Sequence, residues 1–235
     1  MESKYTSRHL ILFLLILFVK EQLKDNRRNL NQYGPVSSLY NDKVTIVCGT
    51  LASAPIIQVY QQYSIYIANE LFKQNRIDAR IVPDVEYLEL DSSEHTNIIL
   101  IGGPQSNVVT KNILETENHP ISFNDGELII GNCHLSCEKE AGALFLTPHG
   151  EKLGLVVTAS SIGVFESIVH SLPLHTPYDA FPDYVIYESD HIWKGGNGIV
   201  STGYFDYNWN LNPSTNFQNC PTYFPHPENQ CYSLW

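Results

Sequence analysis

Short apolar runs alternate along this chain with segments in which apolar residues recur at helical spacing. Residues 44–49 form a continuous run rich in β-branched side chains, which is typical of a strand buried on both faces. A serine–alanine–proline start signal at residues 53–55 and apolar positions three or four residues apart down to Asn75 predict a helix. Short strands are predicted at residues 79–82 and 97–101. Because helical crossovers connect parallel strands, this part of the chain predicts a mostly parallel sheet.

The second half of the chain predicts more strands than helices. The predicted elements are a helix beginning near residue 106, a β-hairpin over 121–130, strands at 143–146, 153–158 and 184–188, and a short helix over 162–170. Together with the first half they predict an α/β fold: a three-layer, flavodoxin-like, mostly parallel sheet with an added β-hairpin, over residues 33–209. Residues 210–235 are rich in Asn, Pro and Tyr without a clear period, so we expect a loop-rich tail there.

The N-terminal segment has the pattern of a targeting signal. Lys4 and Arg8 precede an unbroken apolar run over residues 10–19. Ten helical residues span about 15 Å, half of the roughly 30 Å hydrocarbon core of a bilayer, which disfavours a transmembrane helix. Residues 1–32 are therefore interpreted as a signal peptide or uncleaved anchor plus a spacer, and the protein as secreted or in the secretory pathway. A buried core helix and a misassigned start codon are the alternatives.

Charge and composition narrow the classes of partner. The chain has 235 residues, with 14 Lys+Arg against 25 Asp+Glu and a formal net charge of -11. A binding surface for nucleic acid needs a basic patch that neutralises phosphates, so this balance argues against it. Hydrophobic residues make up 43% of the chain, which is too many for a disordered protein. Membrane contact is expected only through an uncleaved N-terminal anchor.

The chain has five cysteines, so at least one is unpaired or pairs between chains. Cys48 lies in the apolar run at 44–49, where a free thiol behaves as a small hydrophobic side chain. The other four are Cys133, Cys137, Cys220 and Cys231. We expect them to form disulfides between sequence neighbours, Cys133–Cys137 and Cys220–Cys231, although four cysteines allow three connectivities. A zinc site built on Cys133, His134 and Cys137 is a weaker alternative, so no metal is expected.

Two glycine-marked strand ends are the predicted ligand site. In an open parallel sheet, ligands bind beyond the carboxyl ends of the strands, where the strand order reverses. Glycines there allow a ligand close to the backbone, and the helix that follows offers unpaired N–H donors. The alternative is that the Gly-Gly-Pro sequence at residues 102–104 is a simple tight strand-to-helix turn. The candidate ligand-binding residues are Gly49, Thr50, Ser53, Gly102, Gly103, Ser106 and Asn107.

A serine between a strand and a helix is the candidate catalytic residue. Ser161 lies in an Ala-x-Ser-x-Gly sequence, close to the Gly-x-Ser-x-Gly nucleophile elbow of serine hydrolases. The alternative is that the serine caps the helix. A triad in chain order would draw its acid and base from Asp179, Asp183, Asp190, Asp206, His191 and His226.

Two further features have simpler structural readings. Asp84 and Glu86 are two positions apart after a predicted strand, and a solvated strand end is preferred over acid–base work or calcium binding. An aromatic cluster could stack on sugar rings, although aromatic side chains more often pack in a core. Its members are Trp193, Tyr204, Phe205, Tyr207 and Trp209.

A series of short motifs runs in a fixed order along residues 33–209. They are Tyr-Gly-Pro at 33–35, Val-Thr-Ile-Val-Cys-Gly-Thr at 44–50, Ile-Ala-Asn at 67–69, Ile-Val-Pro-Asp at 81–84, Asn-Ile-Ile-Leu-Ile-Gly-Gly-Pro-Gln-Ser-Asn at 97–107, Phe-Leu-Thr-Pro at 145–148, Leu-Val-Val at 155–157, Pro-Asp-Tyr-Val-Ile at 182–186 and Trp-Lys-Gly-Gly-Asn-Gly at 193–198. As an ordered series they resemble the C-terminal region of large, mostly fungal, secreted proteins described as α/β-hydrolase or prolyl-oligopeptidase-like.

The resemblance implies an α/β domain in which the Gly-Thr and Gly-Gly-Pro-x-x-Asn loops recur. In such proteins the hydrolase module and its serine lie upstream of the matched region, so no catalytic residue is carried over to this chain. We therefore expect a binding domain without catalytic machinery or cofactor, whose partner is a small molecule, a glycan or a protein. Two alternatives stay open: a serine hydrolase of esterase or peptidase type that uses Ser161, and a fragment of a longer hydrolase.

Overall fold

A computed structural model of the protein describes residues 27–91, 96–116, 119–124, 126–136, 140–174 and 181–220. The apolar run at 10–19, the cysteines at 137 and 231, and the triad candidates at 179 and 226 lie outside these residues. Within the described ranges, no helix is long and apolar enough to cross a membrane.

The described residues form eleven strands, five α-helices and two 3₁₀ segments. The strands are β1 (Val44–Cys48), β2 (Arg80–Pro83), β3 (Asn97–Ile101), β4 (Ile121–Asn124), β5 (Glu127–Ile130), β6 (Cys133–Leu135), β7 (Ala141–His149), β8 (Lys152–Ala159), β9 (Tyr184–Glu188), β10 (Ile199–Gly203) and β11 (Phe217–Gln218). The helices are α1 (Ala54–Asn75), α2 (Asp84–Tyr87), α3 (Val108–Thr116), α4 (Ile162–Val169) and α5 (His191–Lys194), and the 3₁₀ segments are Val36–Asn41 and Gly195–Gly198.

The main sheet has eight strands in the order β11-β10-β9-β7-β8-β3-β1-β2. β2, β1, β3 and β8 pair in parallel, whereas β7 pairs antiparallel with both β8 and β9, and β10 pairs antiparallel with β9 and β11. Only β7 and β10 therefore run against the other six strands. The predicted α/β fold with a mostly parallel sheet is confirmed at this level.

The added hairpin is also present, and it belongs to a larger unit. β4 and β5 pair antiparallel from Ile121 opposite Ile130 to Asn124 opposite Glu127. β6 then pairs with β5, so the unit is a separate three-stranded antiparallel sheet. The β6 segment is too short for a periodic signal, and only its pairing with β5 makes it a strand.

Helix α1 follows its sequence pattern closely. Its buried positions are Tyr60, Ser64, Ile67 and Leu71, spaced four, three and four residues apart, so one face of the helix is buried. This face meets α4, where the rings of Tyr60 and Phe165 lie 4.9 Å apart between centroids. The two helices thus pack together beside the sheet.

The packed structure extends past both predicted domain boundaries. Before residue 33, Arg28 and Gln32 are buried, and the Gln32 amide donates to the backbone oxygens of Gly150 and Lys152 at the β7–β8 turn. After residue 209, β11 closes the edge of the main sheet. Arg28 and Gln32 are polar, so a pattern of apolar positions could not predict that they are buried.

Candidate functional site

The two glycine loops meet at the carboxyl ends of β1 and β3. Because these strands are adjacent and parallel, Cys48 lies opposite Ile101 and both chains leave the sheet at the same edge. The Gly49 N–H donates to the Ile101 carbonyl at 3.0 Å, and the Leu51 N–H donates to the Ser106 carbonyl at 3.0 Å. β2 and β3 flank β1 on opposite sides, so the loops lie where the strand order reverses.

Close packing between the loops explains both glycines. A Cβ atom on Gly49 would lie 2.4 Å from the Ser106 backbone oxygen, which leaves no room for a side chain. Gly102 has φ +104°, a conformation that L-residues rarely adopt, and a Cβ there would lie 3.0 Å from the ring of Tyr60. The space between the loops is therefore filled by the chain itself.

Asn107 organises this junction entirely through internal hydrogen bonds. Its amide nitrogen donates to the carbonyls of Val47 at 3.1 Å and Ile101 at 3.0 Å. Its side-chain oxygen accepts from the N–H groups of Val109 at 3.0 Å and Thr110 at 3.1 Å, which caps α3. These four bonds use both donors and both acceptor sites of the amide, so a ligand finds none of them open.

The neighbouring hydroxyl, that of Ser106, is also buried. Its oxygen lies 3.3 Å from the Tyr60 hydroxyl and 3.2 Å from the Gly103 carbonyl. Burial raises the pKa of Tyr60 to about 12, so the phenol stays protonated at neutral pH. This pair holds α1 against the second glycine loop and does not face solvent.

The Asp84 carboxylate joins the loops at this edge of the sheet, a role that the sequence pattern did not predict. The preference for a solvated strand end was wrong for Asp84, which is fully buried, and right for Glu86, which is exposed. One Asp84 oxygen accepts from the Thr50 hydroxyl at 2.6 Å and the Val85 N–H at 3.0 Å. The other accepts from the Val108 N–H at 2.7 Å, at the N-terminus of α3. Its position directly after β2, beside β1 in the sheet, was the signal that could have revealed it.

Both polar and apolar side chains are exposed to solvent at this edge of the sheet. Ser53 and Gln105 are exposed, and the Ser53 side chain makes no capping hydrogen bond to α1. Leu51 is 53% exposed and Val85 is 48% exposed, on either side of the Thr50–Asp84 hydrogen bond. We call residues 50–53, 104–105 and Val85 the loop surface. Solvent reaches this surface, whereas the carboxylate of Asp84 beneath it is buried and hydrogen-bonded to the loops.

Ser161 lies between a strand and a helix, as the elbow hypothesis requires, and its backbone is extended. Its φ and ψ are -140° and 159°, whereas a nucleophile elbow places its serine in a strained turn. The Ser161 hydroxyl accepts from the Val164 N–H at 3.5 Å and caps α4. The preceding Ser160 accepts from the Ala141 N–H at 2.9 Å. The Ser161 hydroxyl thus caps α4, and the Ser160 hydroxyl joins the end of β8 to the start of β7.

The described triad candidates are engaged elsewhere. Asp183 binds Arg28, and Asp190 forms an ion pair with Lys194 at 2.6 Å. Asp206 accepts from backbone N–H groups in its own turn, and His191 Nδ1 lies 2.9 Å from the carbonyl of Glu188. Among the described residues, we find no hydrogen bond that joins any of them to the candidate serine.

The cysteines pair differently from the local scheme. Cys133 in β6 is bonded to Cys220, 87 positions away, so the predicted pairs Cys133–Cys137 and Cys220–Cys231 are wrong. The two cysteines meet because the small sheet lies beside the end of the main sheet, where the Gln218 amide reaches the Ile130 carbonyl at 3.4 Å. A bonded Cys133 is no thiolate for zinc. Cys48 is a buried free thiol, as predicted.

The aromatic cluster divides between core and surface. Phe205 and Trp209 are 5% and 4% exposed, and their rings lie 5.9 Å apart. Trp193 is 89% exposed on α5, and Tyr207 is 43% exposed. The cluster therefore does not form one continuous platform for stacking.

No family model matches the chain, and no curated protein matches it significantly.

Proposed function

We propose that the protein is a non-catalytic α/β domain that binds a ligand or partner on the loop surface. The observation that carries this proposal is the contrast between two groups of side chains at the same edge of the sheet. Asp84, Ser106 and Asn107, which could act chemically, are buried in internal hydrogen bonds. Leu51 and Ser53 beside them are exposed. The buried groups are already held by internal hydrogen bonds, whereas the side chains above them are exposed. This arrangement suits recognition of a ligand better than proton transfer or nucleophilic attack.

We further propose that the fold is three-layered and flavodoxin-like. A Cβ atom on Gly142 would lie 2.7 Å from Ile168, so that face of β7 is covered by α4. Phe145, three positions along the strand, points to the opposite face, where its ring lies 6.4 Å from that of Phe123 in the small sheet. Coverage of both faces of the central sheet supports the three-layer arrangement.

The proposal includes a secreted protein related to the C-terminal region of secreted hydrolase-like proteins. The Cys133–Cys220 disulfide supports an oxidising compartment, because thiols are kept reduced in the cytosol. The ordered motifs of residues 33–209 and the signal-like run at 10–19 support the same view from the sequence.

The first experiment separates this proposal from a serine hydrolase. Purified protein is treated with a fluorophosphonate probe, which labels activated serines, beside Ser161→Ala and Ser53→Ala as a matched exposed-serine control. We expect no labelling of any of the three proteins above that of heat-denatured protein. Labelling of wild type and Ser53→Ala that is lost in Ser161→Ala would overturn the non-catalytic proposal.

The second experiment locates the binding surface. Backbone amide shifts are followed by NMR while a panel of oligosaccharides and short apolar peptides is titrated into the protein. We expect the amide shifts of binding members to map to residues 50–53, Val85 and Gln105 of the loop surface, and Leu51→Ser to weaken that binding. Ile65→Ser is the matched control, because Ile65 is 55% exposed on α1 outside the loop surface. Shifts that map elsewhere, or equal effects of the two variants, would contradict the location.

A further inference from the structure

A cavity of about 900 Å³ opens at the amino ends of the parallel strands, opposite to the loop surface. Lys43 immediately precedes β1, Arg80 begins β2, and Lys152 begins β8. Arg76 lies at the end of α1 and reaches the same cavity. Four cationic side chains from four parts of the chain therefore line one concave space.

The charge of this cavity is opposite to that of the protein. Its lining carries four cationic residues and two carboxylates, those of Asp42 and Asp78, whereas the whole chain has a formal charge of -11. Asp42 is already engaged by Lys152 at 2.6 Å. With four cationic side chains against two carboxylates, the lining as a whole carries a formal charge of +2, opposite in sign to that of the chain.

Two threonine hydroxyls in the lining of the cavity join neighbouring segments of the sheet. The Thr45 and Thr96 hydroxyl oxygens lie 2.8 Å apart and join the first residues of β1 to the residue before β3. Thr96 also donates to the Asn97 carbonyl at 3.0 Å. Thr45 is buried and lies opposite Arg80 in the parallel pairing of β1 and β2. The start of β1 is therefore joined to the residue before β3 and paired with the start of β2, where Arg80 lies.

We propose that this cavity binds a small phosphorylated anion. Guanidinium groups bind phosphate oxygens in a bidentate manner, and a lysine ammonium adds a compact positive charge. The cavity is within the size range of small-molecule sites, roughly 300–1,000 Å³, and larger than one phosphate needs. The occupant is accordingly a molecule with more than one phosphate, or a phosphate ester with an organic part. This inference is independent of the function proposed for the loop surface.

Isothermal titration calorimetry at low ionic strength tests the proposal, with inorganic pyrophosphate and glucose 6-phosphate as separate probes. The site variant is Lys43→Gln/Arg76→Asn. Asparagine suits position 76 because the backbone there has φ 59°, which asparagine tolerates. Lys111→Gln is the control, since Lys111 is an exposed lysine of α3 outside the cavity.

We expect saturable binding of at least one probe, weakened by about tenfold or more in the double variant through the loss of two charge-assisted contacts. Lys111→Gln should bind like wild type. Preference for pyrophosphate would identify an inorganic or multiply phosphorylated ligand, and preference for glucose 6-phosphate would identify a phosphate ester. Absence of saturable binding of both probes, or equal weakening in Lys111→Gln, would overturn the proposal. Circular dichroism spectra of both variants should match that of wild type, because Lys43, Arg76 and Lys111 are exposed.

Discussion

Arg28 and Asp183, separated by 155 positions in the sequence, form a buried ion pair with Nη2 to Oδ2 at 2.5 Å. The side chains are 6% and 2% exposed. The same carboxylate oxygen accepts from the Phe205 N–H at 2.9 Å, and the guanidinium carbon lies 4.2 Å from the ring centroid of Trp209. The pair fastens the segment before the first strand to the residue that precedes β9.

Replacement of Asp183 by Asn should destabilise the protein by about 3–5 kcal/mol, because it leaves a buried guanidinium without its counter-charge. Urea unfolding of wild type and variant measures the loss. Asp190→Asn is the matched control: its partner Lys194 is exposed, so the unfolding midpoint should hardly change. Equal midpoints for the two variants would contradict a structural role for the Arg28–Asp183 pair.

The Cys133–Cys220 disulfide closes a long loop, with a sequence separation of 87. Loss of a crosslink over such a loop raises the entropy of the unfolded chain, and the chain-entropy relation gives about 4–5 kcal/mol. Cys133→Ala/Cys220→Ala should therefore be less stable than wild type by several kcal/mol, and addition of a reductant should destabilise wild type but not the double variant. Peptide mapping without reduction should recover a fragment that joins these two cysteines. A fragment that joins Cys133 to Cys137 instead would contradict the pairing.

His119 should make the folded state less stable in mild acid. Burial lowers its pKa from 6.5 to about 4, and the Arg28 guanidinium acts in the same direction. The Ile121 N–H donates to Nδ1 at 3.2 Å, so the ring proton is on Nε2, which faces the Leu146 carbonyl at 2.9 Å. As the pH falls from about 6.5 to 4, the unfolded chain takes up a proton that the folded chain does not, and stability decreases.

The size of this effect is on the order of 3 kcal/mol across that window. Chemical unfolding at a series of pH values, in wild type and in His119→Gln, measures it. Burial also raises the pKa of Asp183, which gives the opposite slope, so the difference between the two proteins isolates the histidine. A difference that stays constant from pH 7 to 4 would rule out His119 as the source.

Two glycine-to-alanine substitutions should have opposite effects. At Gly49 the new Cβ would lie 2.4 Å from the Ser106 oxygen and 2.9 Å from the Ile101 oxygen, both backbone atoms, so the β1–β3 edge must shift. The expected loss is about 1–3 kcal/mol or more. At Gly163, near the start of α4, a Cβ meets nothing within 4 Å, and alanine should stabilise the helix by up to about 1 kcal/mol. Thermal unfolding of both variants checks the sign of each change.

Elements with a local signal could be predicted from the sequence. β3 and β9 have the bounds that their apolar runs indicate, and α1 begins at its serine–alanine–proline signal and ends at Asn75. β7 is longer than its predicted core, from Ala141 to His149, because it pairs on both sides, with β8 and β9. β10 was not predicted, since its sequence contains Ser and Thr and its strand character depends on pairing with β9 and β11.

The candidate site was predictable in part for the same reason. Glycines after two buried runs indicated where the chain leaves the sheet, and parallel pairing brings those exits together, as the structure confirms for Gly49 and Gly102. The sequence does not show that every hydrogen-bonding group of the Asn107 side chain is paired within the protein, or that Asp84 is buried. Ligand binding by the loop surface stays a prediction.

The order of apolar and polar residues, by itself, determined the α/β class, the first helix and the strand ends that carry the loops, because periodicity and capping act between residues near in sequence. Only the tertiary structure decided that Cys133 meets Cys220, that Arg28 meets Asp183, and that a basic cavity opens at the amino ends of the strands. Those contacts join residues far apart in the chain. Their partners are selected by the packing of whole sheets, which no local pattern of residues encodes.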